Sequence, residues 1–594
     1  MSVTPQGRSI QSLYRDYREG RLMVNRTYQR KLVWSAGEKR QLIDSIMKGY
    51  PIPLILLAER VDAYDAGRLE IIDGIQRLNA VFTFIENSFD HEGRYFDVSE
   101  FTRARQAADE HVFVPVTDKP LLSQDECARF LDYQLAVSIY PAARETDITD
   151  VFGRINSGGR QLSPQEQRQA GVVSDFARLV RTLGSEFRGD VSKDVLRLFE
   201  MPEISVDSSR EPHGYGVRAE QTFWCRQGIL STKQLKESED EQTIADVAAS
   251  ILLGQPLAAS KERPDSVYDS ETTEGSDVQH RLAAYGPERI AREIKATFSA
   301  LRSVIESSND SPNHLRSIVR PGTKYPIKAP FYAIFMAFFD LVVRQQKSPD
   351  QPTRILQALN GLDDRLSKGA HYETTENRRG NIDLTKGLIQ DFFVTKTPAV
   401  LGRGEALAID VENCLRRSRI ETSRYEFKQG ILRLDKSRSV DTQLLSRLPE
   451  TACGIANLGP ESDGFIFLGM ADRKKHADRV AHLDGIVPQL VADHYIVGID
   501  REATLLGEDI DQFVRRIVGA FQSSGLTEPL KTQILSSFDA VTLHGLTVVQ
   551  IRIPPQADVS FVGEHAFSRE GSSTVEVSGK RLVAITQLFY RARA

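Results

Sequence analysis

The stretch RRSRIETSRYEFKQG, residues 416–430, sets two carboxylates, Glu421 and Glu426, inside a run of cations. From Cys414 to Ser439 eight Arg or Lys side chains stand against three acids. Two readings are open: a solvated basic face with incidental acids, or an acidic site on a surface that holds a polyanion. A second stretch, EIIDGIQRLNAV (70–81), runs from a short apolar strand through Asp73-Gly74 into a helical pattern. Glycine at a strand-to-helix turn permits close backbone approach, and a helix N-terminus favours an anion. Arg77 would then offer a forked contact to phosphate. Asp-Gly turns with a nearby Arg are also common as plain structure, so this spacing by itself decides nothing.

A chain of 594 residues exceeds what one hydrophobic core usually supports, so two to four domains are expected. With 40% hydrophobic and 26% charged residues, it has the composition of an ordinary globular protein. The net charge of −5 gives no whole-molecule bias toward nucleic acid, so any such site must be local. Cys127, Cys225, Cys414 and Cys453 lie far apart, with no CxxC pair and no paired His. That argues against zinc and for a reducing cytoplasm. The start, MSVTPQGRSIQSLYRDYREG, has no apolar core, so no signal peptide is expected. The most apolar segment, FYAIFMAFFDLVV (331–343), is too short to span a bilayer and carries Asp340; it reads as a buried helix. The expectation is a cytoplasmic protein with no membrane partner.

The elements that must position these side chains fall into three segments. In residues 1–170, LILLA (54–58), LEII (69–72), VFVPV (112–116) and LAVSIY (135–140) read as strands, and EKRQLIDSIMKG and QRLNAVFTFIEN as helices. That is a compact α/β or α+β domain. Residues 171–400 are dominated by helical patterns, interrupted at 205–216 and by ASKERPDSVYDSETTEGSD (259–277), which reads as a mobile loop. From 401 to 594 strand patterns return: GFIFLGM (464–470), HYIVGI (494–499), and a hairpin around His544-Gly545. A helix near 507–523 places Ile510, Phe513, Val514, Ile517 and Val518 on one face. The expected class is α/β and α+β, in three domains.

Four motifs follow one another in the first segment: RTYQRKLVW (26–34), LIDSIMKGYPIPLILL (42–57), IIDGIQRL (71–78) and VFGRINSGGRQLSPQEQR (151–168). Over about residues 8–170 they resemble the N-terminal domain of GmrSD-type restriction endonucleases, a relative of the ParB/sulfiredoxin fold. The usual loop of that family is DGQQR; here Ile75 replaces the first Gln. The resemblance implies nucleotide binding or hydrolysis at Asp73, Gly74, Gln76 and Arg77, with Gln29 and Arg30 matching its QR motif. It further implies NTP-linked sensing or cleavage of foreign, often modified, DNA, the nucleotide being GTP, ATP or CTP. Much of the last motif has a structural explanation. Ile148, Val151, Phe152 and Ile155 form an apolar stripe, Gly158 and Gly159 can end that helix, and Ser163-Pro164-Gln165-Glu166 is a capping box. Arg154 and Asn156 are left over at a loop mouth and join the nucleotide candidates.

The middle segment offers little chemistry. His371, Glu373, Arg378 and Arg379 share a polar stretch (369–381), but a lone His beside a Glu is more often a surface pair, and no His-Asn-His nicking pattern is present.

Downstream of ExxxxEFK come ETACGIANLGPESDGFIFLGMAD (450–472) and HAFSREGSSTVEVS (565–578). This order over roughly 405–590 resembles the Schlafen AlbA-like domain, although LGPESDG replaces the usual GG after Ala456-Asn457. Some members of that family are nucleases, which implies a catalytic and metal-binding triad of Glu421, Glu426 and Asp472. Three carboxylates are hard oxygen ligands suited to Mg²⁺ or Mn²⁺. Arg424, Lys428, Arg473, Lys474, Lys475 and Arg569 are the candidate phosphate contacts. The leading expectation is a bacterial anti-phage effector, in which NTP sensing controls a metal-dependent nuclease acting on DNA or RNA. The alternatives are a non-catalytic nucleic-acid-binding regulator with salt-bridged carboxylates, or an NTPase whose C-terminal domain docks it on DNA. Homo-oligomerisation stays open.

Overall fold

The computed structural model describes residues 5–591 apart from 27–30, 61–66, 111, 143–162, 170–173, 191–194, 206–215, 261, 309–310, 370–372, 397–407, 419–421, 472, 492–493 and 544. The chain is mixed α/β and forms two compact units. One comprises residues 1–294, 310–341 and 353–393; the other comprises 295–309, 342–352 and 394–594. The first unit therefore contains most of the segments expected as an N-terminal and a helical middle domain.

In the first unit six strands pair in the order β1-β5-β3-β4-β2-β6. They are β1 (Gln6–Ser9), β2 (Leu22–Asn25), β3 (Ile55–Arg60), β4 (Leu69–Asp73), β5 (Gln134–Ala142) and β6 (Val195–Arg197). The pairs β2/β4 and β3/β5 are parallel, and the other neighbours are antiparallel. Leu69, Ile71 and Ile72 on the interior strand β4 are all buried, which explains why LEII lacks polar alternation. The helix Ala36–Met47 opens with a Ser35/Glu38 capping box and buries Leu42, Ile43 and Ile46. Phe82, Phe84, Phe89, Phe96 and Phe130 fill the same core.

Two expectations are corrected. VFVPV forms no strand: Val114 is 87% exposed and the Val116 N–H is bonded to the Asn87 side chain at 2.9 Å. Pro115 has no N–H to give a ladder. The stretch 259–277 is largely helical, in Arg263–Tyr268 and the start of Thr273–Tyr285. Pro264 sits in one first turn, and the Thr272 hydroxyl caps the other by accepting from Gly275 N at 3.0 Å. Val267, Tyr268 and Val278 anchor these helices in the interior, which an average over composition conceals. The apolar run 331–343 is a buried helix, Lys328–Phe339, followed by a wider turn.

A buried charge cluster holds part of this unit together. Arg188 bonds Asp190 at 3.0 Å, Asp240 at 2.5 Å and Glu241 at 2.8 Å, and is 1% exposed. Lys31 lies 3.7 Å from Asp240 and 3.6 Å from Glu241, and Arg26 bonds Asp190 at 2.8 Å. Three cations thus face three carboxylates, which is the condition under which charges are tolerated away from water.

The second unit has a four-stranded sheet in the order Tyr425–Lys428, Gly464–Leu468, Leu546–Ile553, Phe538–Leu543, the first pair parallel and the others antiparallel. The expected hairpin is its last pair, with Leu543 opposite Leu546. Ile466, Leu468, Val549 and Ile551 face one core with Phe513, Ile517 and Phe521 of the helix Ile510–Gln522. Phe467, Val541 and Val548 face the other with Val411 and Leu415. HYIVGI supplies a shorter strand, His494–Ile496, in a separate three-stranded sheet.

Removing one member of the charge cluster should cost far more than a surface pair. Asp240→Ala should destabilise the protein by about 3–5 kcal/mol in denaturant unfolding, because Arg188 stays buried with less neutralisation; a change below about 1 kcal/mol would match an exposed pair instead. Burial alone would raise the Asp190 carboxyl, but Arg188, Arg26 and Lys31 outweigh it and hold it below the ordinary value. A carboxylate depressed in the folded state contributes stability above its unfolded pKa and loses it as pH falls through the folded one. Stability should therefore decline as pH drops below about 4, and Asp190→Asn should flatten that decline in acid titrations of melting temperature.

Candidate functional site

The Asp-Gly loop sits where strand β4 meets the helix Ile75–Ile85. Gly74 has φ of +102°, and a Cβ there would lie 2.4 Å from Ile55 Cδ1, so both backbone and packing require glycine. No side chain caps the helix, whose first turn begins with the Gly74 carbonyl accepting from Leu78 N at 2.9 Å. Arg77 forms an ion pair with Asp73 one turn earlier. The Arg77 side chain is 12% exposed, and its Nη1 is buried with no hydrogen-bond partner among the described residues. An uncapped helix start beside a guanidinium with an unanswered N–H can accept an oxyanion. Asp73, 39% exposed, neutralises that guanidinium meanwhile.

Gln76 is not free for nucleotide. Its Oε1 accepts from Val33 N at 3.1 Å and Trp34 N at 3.2 Å, and its Nε2 donates to the Lys31 carbonyl at 2.6 Å. It clamps the KLVW segment to the helix start. Gln29, Arg30, Arg154 and Asn156 lie outside the described residues; the flanking Arg26 and Lys31 are held in the buried charge cluster. The Ser163/Glu166 capping box forms as expected, with Ser163 N bonded to Glu166 at 2.9 Å.

In the second unit, strand alternation sends Tyr425 and Phe427 to one face and Glu426 and Lys428 to the other. Tyr425 stacks on Phe465 at 5.9 Å and Phe427 on Phe467 at 5.6 Å, directly across the parallel register. Glu426 shares its face with Ile466 and is 12% exposed at the side chain. Lys428 Nζ lies 2.5 Å from its Oε1, and Arg569 Nη2 lies 2.8 Å from its Oε2. Gly464 allows the neighbouring strand to approach: a Cβ there would meet the Arg424 carbonyl at 2.6 Å.

Arg569 is corrected from a phosphate contact to an internal clamp. Its side chain is 1% exposed. Nε donates to the Ser423 carbonyl at 3.2 Å, Nη1 to Thr574 Oγ1 at 2.9 Å and Nη2 to the Tyr425 carbonyl at 3.1 Å. A guanidinium so committed cannot reach a nucleic-acid backbone. Lys428, 36% exposed, is paired with Glu426. Arg424 is half-buried. Glu421 and Asp472 lie outside the described residues, so of the expected triad Glu426 alone has a described geometry.

Arg473, Lys474 and Lys475 are exposed at the start of the helix Lys474–Asp484. Cations there oppose the helix dipole, a local cost that an anion would relieve. Lys474 is shared with Asp478 at 2.8 Å, which raises its ammonium pKa.

Sequence reasoning passed over Asn457 except as a marker of motif order. It is buried; Nδ2 donates to the Ser560 and Phe567 carbonyls at 2.9 and 2.8 Å, and Oδ1 accepts from Ser560 N at 2.8 Å. Thr574 of the RxGSST motif bridges Arg569 and Thr451. The signal was present: small polar residues embedded in apolar runs are buried only when they bond to backbone.

Arg569→Ala should cost about 3–5 kcal/mol in denaturant unfolding, because it leaves two carbonyls and Glu426 without a buried cation. Glu426→Gln keeps an acceptor for Arg569 but removes its counter-charge, and should cost about 1–3 kcal/mol. Equal melting temperatures for both variants and the parent chain would contradict the clamp.

Residues 10–173 match the family model described as GmrSD restriction endonuclease, N-terminal domain. No curated protein and no solved structure matches the chain. The matched span contains the Asp73–Arg77 loop and most of the sheet that holds it, so the first unit is similar to a GmrSD-type N-terminal domain over that span.

Proposed function

We propose that this protein is a restriction-type defence effector in which nucleotide sensing at the Asp73–Arg77 loop controls cleavage of DNA or RNA by the second unit. The observation that carries the reading is the coincidence of the matched domain with an uncapped helix start and an Arg77 nitrogen that has no partner among the described residues. GTP, ATP or CTP would place a phosphate there, and Arg77 would exchange its contact with Asp73 for one with the nucleotide. That exchange gives the loop two states, which is what a sensor requires. A ParB/sulfiredoxin-like fold for this domain and an AlbA-like fold for the second unit are part of the same proposal.

For cleavage, Glu421, Glu426 and Asp472 would hold Mg²⁺ or Mn²⁺, which when bound activates water and stabilises charge on the reacting phosphate. Glu426 fits that duty in part. Its two oxygens each meet one cation and keep lone pairs for a further contact, while Arg569 fixes its orientation. Lys428 and Arg569 also reduce the negative charge Glu426 can offer. Arg473, Lys474 and Lys475 would hold the nucleic-acid backbone without reading sequence.

The ion pair between Glu426 and Arg569 favours a second reading, a non-catalytic nucleic-acid-binding regulator with a structural Glu426. An NTPase docked on DNA by its second unit is the remaining alternative.

Arg77→Ala should weaken nucleotide binding by about ten- to a hundred-fold, the worth of one charge-assisted hydrogen bond, with melting temperature retained. Cleavage of labelled RNA or DNA should respond to NTP in the parent chain and not in this variant. Unchanged NTP hydrolysis and an unchanged cleavage response would defeat the sensor role. Alanines at Arg473, Lys474 and Lys475 should flatten the log–log salt dependence of binding by about 0.7–0.9 for each phosphate that is no longer neutralised; a wild-type slope would make the cluster a solvated face.

A further inference from the structure

Beyond the span matched to the GmrSD family, the first unit holds a partly open cavity of about 280 Å³. The helices Glu239–Leu253, Arg263–Tyr268 and Lys328–Phe339 contribute to its wall, with Glu373 and Arg378 at the start of Thr375–Ile389. Leu257, Pro264, Val267, Tyr268 and Tyr332 give the wall its apolar and aromatic character. Its size lies near the lower end for small-molecule sites, about 300–1,000 Å³.

Of the charged groups in its lining, Arg263, Lys328, Arg378, Asp246 and Glu373, all but Glu373 are paired among the described residues. Arg378 lies over the Tyr332 ring at 3.5 Å, and its terminal nitrogens bond Asp246 at 3.0 and 2.6 Å and the Leu257 carbonyl at 2.6 Å. Lys328 is paired with Glu239 at 2.8 Å, and Arg263 with Glu274. Glu373 differs: the described residues offer its carboxylate no hydrogen bond or ion pair. Its carbonyl accepts from Ala259 N at 2.9 Å, which fixes the residue to the wall. Burial pushes the Glu373 carboxyl up, against the pull of Arg378.

We propose that this cavity binds a small organic cation, a primary amine or amidine with a compact apolar body, whose charge is met by Glu373. Glu373 is half-buried and has no partner among the described residues, and a cation with its own apolar body would meet that charge while burying the apolar wall beside it. A hydrated metal ion is a poor occupant, since hard cations need about six or more oxygen ligands. An anion would find the cations of the lining, Arg263, Lys328 and Arg378, each already bonded to a carboxylate. A bound cation would touch three helices of the unit at once and stiffen their packing. The inference is independent of nucleotide binding at Arg77 and of cleavage in the second unit.

Three probes of equal shape separate the possibilities on the full-length chain: phenethylamine, 2-phenylethanol and phenylacetate, titrated by calorimetry or ligand-observed NMR. Phenethylamine should bind at least about tenfold more tightly than the alcohol, a difference of about 1.4 kcal/mol, and phenylacetate more weakly than either. In Glu373→Gln the amine should lose its advantage over the alcohol while melting temperature is kept. Ala258→Leu, which narrows the cavity and leaves the charge, should weaken both probes together. Equal binding of amine and alcohol by the parent chain would overturn the proposal. So would an amine preference that survives Glu373→Gln, or the absence of binding by all three probes at about 10 mM, the weak end of specific recognition.

Discussion

A guanidinium withdrawn from water must have its charge matched and its N–H groups bonded, and each unit of this protein is organised around one. In the second unit Arg569 binds two carbonyls, one hydroxyl and the Glu426 carboxylate. That ties the hairpin Ala566–Val577 to the strand Tyr425–Lys428, more than a hundred residues earlier in sequence. In the first unit Arg188 gathers Asp190, Asp240 and Glu241, and through them Arg26 and Lys31. Neither arrangement survives loss of one charge without stranding another. That interdependence fixes the backbone on which the functional side chains stand.

The motif residues divide by what they touch. Gln76, Asn457 and Arg569 spend their polar atoms on backbone of distant segments and so build the frame. Asp73, Arg77, Arg473, Lys474 and Lys475 retain exposure or, for Arg77, a nitrogen without a partner among the described residues, and are the ones proposed to meet a ligand. Glu426 belongs to both groups: it answers Arg569 and also stands beside Lys428 at 12% exposure. A carboxylate oriented by a buried arginine is well held for metal binding, but the same arginine also explains its presence without any metal.

What the sequence made legible follows from the range of each signal. Periodicity is local, so the helix Ile75–Ile85, the strand Leu69–Asp73 and the hairpin Phe538–Ile553 were readable from a few neighbouring residues. The strands Gln6–Ser9, Leu22–Asn25 and Val195–Arg197 were missed because each is three or four residues long and gains its place from partners far along the chain. VFVPV has strand composition but no ladder, since Pro115 and the bond from Val116 to Asn87 remove it. Residues 259–277 look solvated on average, yet Val267, Tyr268 and Val278 suffice to dock two helices. The Asp73–Arg77 strand-to-helix turn was legible, whereas the clamps of Gln76 and Arg569 were not. Their partners are backbone atoms, which no side-chain pattern records.

The claim on which the functional account turns is that Glu426 takes part in cleavage as well as in folding. Labelled RNA and DNA should be incubated with the full-length chain and with Glu426→Gln, in Mg²⁺, Mn²⁺ or EDTA, with and without NTP, at a temperature where both are folded. The account predicts metal-dependent cleavage by the parent chain, its loss in EDTA, and its elimination in Glu426→Gln with nucleic-acid affinity equal or higher, since a carboxylate repelling phosphate has been neutralised. A folded Glu426→Gln that cuts at the parent rate, or a parent chain that binds nucleic acid and never cuts it, would contradict the account and leave the binding regulator in its place.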